Sequence, residues 1–347
     1  MTNMELCVGV YHTLYGYARG FSNLTQKKFA FPGSPVYDTH IRITERQEKS
    51  MENQDRRETL QELEQRFICA SDQRKAGRKE SWDLRAADWD TKYRREDERA
   101  EHEVRIRDMA AWLRQRGLLG ADQDVADIGC GPGRFAAEFA RTARSVLGVD
   151  ISPKMVEYGE AWCRELGLAN TRFTAVDFAH ADIAGLGWEG KFDLVFSSIT
   201  PAVSTMQGLE NLMRMSRGWC FNASFVYDDN PLHTDMMRTL FGREPRRHKT
   251  SHSHWFYELF SLLWKRGYYP ETFYYTQLKS VRLQPDLNTA RRLARFLLEE
   301  EEADETAVRM VLDYLEKHAD GGGAVTEDSE CRYGWLLWNV QDRHIRD

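Results

Sequence analysis

Short apolar runs alternate with longer stretches of helical spacing from Asp124 almost to the C-terminus. Apolar runs bounded by turn signals read as strands buried on both faces. Apolar positions recurring every three to four residues between them read as crossover helices. Strands are expected near Asp124–Ile128, Ser145–Val149, Arg172–Val176, Phe192–Ser197 and Trp219–Val226, the alternation of a parallel α/β sheet. Next come a helix around Trp255–Lys265, a strand near Glu271–Leu278, charged helices over Asn288–Glu300 and Glu305–His318, and a closing aromatic-rich strand, Tyr333–Val340. The two charged helices, at about 285–320, read as an insertion into a domain spanning 121–347.

Upstream the spacing is helical, with Trp82, Leu84, Trp89 and Tyr93 in one part and Val104, Ile106, Met109, Trp112 and Leu113 in the next. Residues 51–120 therefore read as an N-terminal helical cap. In residues 1–50, Gly9, Gly16, Gly20, Pro32, Gly33 and Pro35 interrupt the apolar positions before any period settles. That segment reads as a disordered or non-native extension, with Met51 an alternative initiator.

The 347 residues are 41% hydrophobic and 29% charged, enough for a sizeable core in one large or two small domains. A net charge of -6 argues against a nucleic-acid coat, which needs concentrated cationic surface. The expected partner is a small-molecule substrate, with no nucleic acid; oligomeric state is not legible. Six scattered cysteines without CxxC pairs suggest reduced thiols and neither a zinc site nor a disulfide framework. No apolar run approaches the roughly 18 residues of a spanning helix, so no membrane and a cytoplasmic place are expected.

The chemistry concentrates in Asp127-Ile128-Gly129-Cys130-Gly131-Pro132-Gly133, where the first strand gives way to a helix. Glycines at alternate positions allow a sharp turn and close approach to a ligand. A dinucleotide site wants GxGxxG around a pyrophosphate. Here the glycines run GxGxG, and Asp127 would repel phosphate but suits the ammonium of an amino-acid moiety. Asp150, ending the second strand, can accept two ribose hydroxyls.

These segments resemble the class I S-adenosylmethionine-dependent methyltransferases, in the small-molecule branch of type 11/25. The resemblance implies a Rossmann-like α/β fold: a seven-stranded, mostly parallel sheet, last strand antiparallel, helices on both faces, and a helical lid. It implies S-adenosyl-L-methionine as cofactor. Asp127, Gly129, Cys130, Gly131 and Gly133 would form its turn and Asp150 would hold the ribose. Ile151 and Met155 would flank the adenine, Asp177 and Phe178 would bind its amino group and cover its ring, and Ser197 would face the methyl. Tyr93 would lie over the cofactor from the preceding helix.

The resemblance covers roughly Trp82 to Tyr227; it departs from the family at two points within that span and in the tail beyond it. Met215-Ser216-Arg217-Gly218-Trp219-Cys220 lacks the glycine-rich turn common before the fifth strand, and Ser197-Ser198-Ile199-Thr200-Pro201 is not of the Asn-Pro-Pro-Tyr type. No catalytic residue is identified. Asp228, Asp229 and His233 read first as a turn and helix cap, and Arg243, Arg246, Arg247 and Lys249 as a solvated loop. Glu299 to Glu302 reads as a solvent-facing helix surface. His248, His252 and His254 lack a completing ligand, so no metal is expected. Aminocarboxypropyl transfer from the same cofactor and a non-catalytic cofactor-binding module stay open as alternatives, with a dinucleotide oxidoreductase behind them.

Overall fold

In the computed structural model the strands alternate their side chains between two helical layers, which is why their sequences read as nearly continuous apolar runs. The structure describes residues 59–73, 79–94, 96–244, 250–298 and 303–344. All belong to one unit, Glu58–Asp347. The expectations for residues 1–50 and Met51 lie outside the described residues.

Seven strands form one sheet: β1 (Asp124–Ile128), β2 (Ser145–Asp150), β3 (Thr171–Ala175), β4 (Phe192–Ser198), β5 (Ser216–Asp229), β6 (Glu271–Leu283) and β7 (Val325–Asn339). Their order is β3-β2-β1-β4-β5-β7-β6. β7 runs antiparallel to both neighbours and the rest are parallel, as the Rossmann-like reading expects.

On one face, Val125, Leu194, Phe196, Phe221 and Trp335 pack against α3 (Glu96–Gln115) and α4 (Arg134–Ala140). On the other, Ile128, Val149, Val195, Leu336 and Trp338 meet α6 (Met206–Met215) and α8 (Thr250–Lys265). Here α1 (Leu60–Gln73) joins α8, with the rings of Phe67 and Trp255 4.2 Å apart. α2 (Lys79–Arg94) lies against α3 and α5 (Pro153–Glu165).

The last three strands are longer than their apolar runs. β4 ends with Ser198 opposite Ala223, but β5 continues to Asp229, and β7 begins ten residues before Trp335, the partner of Ala223. At ~3.3 Å per residue the β6–β7 ribbon extends roughly 30 Å past the end of β4. It carries a third core, in which Met236 of α7 (Pro231–Phe241) packs with Leu293 of α9 (Leu287–Leu297) and Leu312 of α10 (Glu305–His318). The sequence underestimates β6 because most of its residues are exposed, leaving no apolar run to mark its length. Among the described residues no helix is long and apolar enough to cross a membrane.

Candidate active site

Between β1 and α4 the chain turns through Gly129 and Gly131 with left-handed backbone, φ 70° and 52°. The N–H groups of Gly129 and Cys130 both donate to the Val149 carbonyl, at 2.7 and 3.0 Å, locking the turn to β2. A Cβ on Gly129 would stand 2.0 Å from Thr200 Oγ1, so only glycine lets the loop after β4 close against the turn. A Cβ on Gly131 would meet nothing within 4 Å, so this side of the turn is open to a ligand.

Two carboxylates meet beneath the turn. Asp127 is 2% exposed and its Oδ2 has no hydrogen-bond partner. Burial, reinforced by nearby Asp150, pushes its carboxyl up to about 8, with only the Ala136 N–H favouring the charged form. Asp150 accepts the N–H of Gly131 at 2.9 Å and of Ser152 at 3.0 Å. Burial raises its pKa, and these amides hold it down. A buried acid kept protonated by burial beside a second acid, with one oxygen unpartnered, is ionised favourably by an incoming cation and offers nothing to a pyrophosphate.

α2 is clamped across this end of the sheet at two points. Ser152, the N-cap of α5, donates its hydroxyl to Asp83 and accepts the Met155 N–H at 3.2 Å. Asp90 forms a buried ion pair with Arg134 at 2.9 Å, and the Arg134 guanidinium sits 3.8 Å over the Trp162 ring. Tyr93 falls in the last turn of α2, but its side chain lies outside the described residues.

The remaining expected residues distribute as follows. Met155 is buried and Ile151 half-buried at the start of α5. Asp177 is exposed and lies 2.9 Å from His180 Nδ1, while Phe178 is buried in the core. Ser197 is fully buried; its hydroxyl donates to the Phe221 carbonyl and accepts from Asn222 Nδ2, both at 3.0 Å. Burial, with Asp127 and Asp150 adding to it, raises the Cys130 thiol far above its ordinary pKa, so it fills space as a thiol.

Sequence reasoning missed Ile199 and Arg105. Ile199, just past β4, has φ 53°, a strained angle for a β-branched residue that costs ~1–3 kcal/mol. Its N–H donates to the Ala223 carbonyl at 2.9 Å, which turns the chain away from the sheet beside the glycine turn. Nothing in the local sequence signals that strain. Arg105 had a signal: it lies on the apolar stripe of α3, four residues before Met109 and seven before Trp112.

Asp228 and Asp229 are exposed at the far end of β5, five and six residues past Ala223, roughly 17–20 Å from the end of β4 at ~3.3 Å per residue. His233 lies farther on, its Nε2 2.9 Å from Glu327 Oε1, at ion-pair distance but outside hydrogen-bond alignment. Arg246, Arg247, His248 and Lys249, the side chains of His252 and His254, and Glu299 to Glu302 lie outside the described residues. Among the described residues no three metal-ligating side chains cluster.

Residues 125–217 match the family described as "Methyltransferase domain". Curated relatives named 23S rRNA (uracil(1939)-C(5))-methyltransferase RlmD include one from Aeromonas hydrophila, 38% identical over 109 residues, which are 30% of this chain and 23% of the relative. Another from Aeromonas salmonicida is 44% identical over 81 residues, 22% of this chain and 18% of the relative. The chain thus spans about a fifth of the length of these relatives. Similar solved structures include magnesium protoporphyrin IX methyltransferase from Synechocystis PCC 6803 with bound SAH, 22% identical, covering 53% of this chain and 79% of that one, TM-score 0.39. A SAM dependent methyltransferase from Aquifex aeolicus is 14% identical, covering 66% and 88%, TM-score 0.36.

The relatives' names correct the expectation of a small-molecule partner and no nucleic acid, since they name ribosomal RNA as substrate. Net charge misled because it sums the whole surface, whereas phosphate recognition depends on a few cations placed at one site.

Proposed function

We infer that this chain, whose residues 125–217 match the methyltransferase-domain family, transfers the methyl group of S-adenosylmethionine to an RNA acceptor. The observation that carries the donor is the buried, unpartnered Oδ2 of Asp127, four residues before Gly131, whose Cβ side is open. That pairing of an orphaned carboxylate with an open turn fits an amino-acid ammonium. Asp150, with lone pairs left after its two amide bonds, fits the ribose of the same ligand.

Gly129, Cys130, Gly131 and Gly133 form the cradle. Tyr93, Ile151, Met155, Asp177, Phe178 and Ser197 complete the proposed cofactor set. The bound sulfonium supplies an already activated methyl. The work left to the protein is to align the acceptor with the end of β4 and to exclude water. α2 closes one side through Asp83 and Asp90, and the helices carried by the β6–β7 ribbon supply an acceptor platform beyond the sheet.

RNA is the acceptor class that the relatives' names support. Methylating a pyrimidine carbon calls for a nucleophile that first adds to the ring, usually a thiolate. Among the described cysteines, Cys130, Cys163 and Cys220 are buried with raised pKa values, and Cys331 lies on β7 opposite Asp228, past the end of β4. Cys130, Cys163 and Cys220, among the described residues, are reduced thiols, which supports a reducing, cytoplasmic setting.

The test is transfer of labelled methyl from S-adenosylmethionine to total RNA by the full chain, alongside calorimetry with S-adenosylhomocysteine and NAD. Label in RNA together with homocysteine-nucleoside binding is expected. NAD binding without S-adenosylhomocysteine binding refutes the donor, and cofactor binding without label in RNA refutes the acceptor. A product gaining the aminocarboxypropyl group would replace methyl transfer.

A further inference from the structure

Arg105 is 6% exposed, and its Nε and Nη1 are buried without hydrogen-bond partners. Its guanidinium lies 4.9 Å from the centre of the Tyr333 ring and 5.9 Å from that of Phe135. No ion pair among the described residues involves it. Ring faces attract the cation's charge but cannot accept donors pointing along the guanidinium plane, so the site holds a cation with unspent N–H groups. A buried cation in that state calls for an oxyanion.

Its position joins it to the site. Tyr333 pairs with Phe225, their rings 5.0 Å apart, and Phe225 is two residues beyond Ala223, whose carbonyl receives the Ile199 N–H. Phe135 is two residues past Gly133 and its ring is 4.9 Å from that of Phe196 in β4. Arg105 therefore lies near the end of β4 on the α4 side, between the Tyr333 ring, two residues past the Ser198–Ala223 level, and the Phe135 ring, which packs on Phe196 of β4.

We propose that Arg105 binds a phosphate of the acceptor, holding the nucleotide that faces the end of β4. This rests on the RNA reading above. A nucleotide drawn out of its strand brings its own phosphate with it, and the Tyr333 and Phe135 rings flank the guanidinium that would receive it.

The experiment measures binding of a short mixed-sequence oligoribonucleotide, and separately of inorganic phosphate, to the full chain with and without S-adenosylhomocysteine, across a salt series. In Arg105→Gln the oligoribonucleotide should bind about tenfold more weakly, with the log–log salt slope reduced by about one. Arg105→Lys should keep the slope and recover part of the affinity, and S-adenosylhomocysteine affinity should stay within about twofold of wild type. If Arg105→Gln fails to fold, Arg105→Lys and Tyr333→Leu carry the test, the latter weakening the oligoribonucleotide by loosening the guanidinium's seat. An unchanged slope in a folded Arg105→Gln overturns the proposal. So does wild-type binding of inorganic phosphate but not of the oligoribonucleotide. Loss of S-adenosylhomocysteine binding in the wild type would instead refute the donor reading, leaving the salt slope to judge Arg105.

Discussion

Asp150 Oδ2 accepts the N–H of Gly131 at 2.9 Å, so the acid that ends β2 also holds the turn that ends β1. One side chain thereby sets two parts of the proposed cofactor cradle. Asp150→Ala should lower S-adenosylhomocysteine affinity about 100-fold, the scale of losing one or two bonds to a charged group. Calorimetry reads this, and unchanged affinity would rule out the ribose role.

Asp127 gives a pH signature. Its carboxyl, at about 8, is largely protonated at pH 7, and a bound ammonium favours the ionised form. Binding should release a proton below about pH 8, and affinity should rise from pH 6 to 8 and then level. Titrations in buffers of different ionisation enthalpy count the proton; none released counts against the assignment. For stability the sign is opposite. The folded state binds this proton more tightly than the unfolded state, so Asp127's contribution declines as pH rises from about 4 to 8. Asp127→Asn should therefore gain stability relative to wild type as pH rises through that window, while losing affinity.

The two central glycines should separate folding from binding. Gly129→Ala drives a methyl into Thr200 and should unfold the turn, lowering the thermal midpoint by more than about 5 °C. Gly131→Ala meets open space, so it should retain most of its fold apart from about 1 kcal/mol of backbone strain, yet lose cofactor binding. Equal cofactor affinity in Gly131→Ala and wild type would show that the ligand does not approach there.

Asp124 serves as the control at the opposite end of the strands. It pairs with Arg144 and with Arg217 at 3.2 Å, and Arg217 also pairs with Asp193 at 2.7 Å. The Arg144 bond, with Ser145 and Arg217, holds its carboxyl well below the usual range. This stabilisation is present above the unfolded pKa near 4 and is lost as pH falls further. Asp124→Asn should cost about 1 kcal/mol at pH 7 after allowance for solvent screening, with the difference shrinking towards pH 3 and cofactor affinity unchanged. Denaturant melts at both pH values check it.

The sheet was legible where burial on two faces compels apolar runs: β1 spans Asp124–Ile128 as the pattern predicts. β5 to β7 were underestimated because an exposed ribbon is held by pairing across strands, which one strand's sequence does not record. In the site, the glycine turn and its acids stood out because left-handed backbone angles and carboxylates are written in residue type.

The sequence by itself determined the parallel α/β architecture, the turn, and the acids at the ends of β1 and β2, since each follows from local pattern or residue chemistry. Only the tertiary structure decided that Asp127 lies buried with its Oδ2 unpartnered, that α2 is pinned by Asp83 and Asp90, and that Arg105 is seated on Tyr333. Those contacts join residues far apart in the chain, and burial and pairing belong to the packed assembly rather than to any one segment.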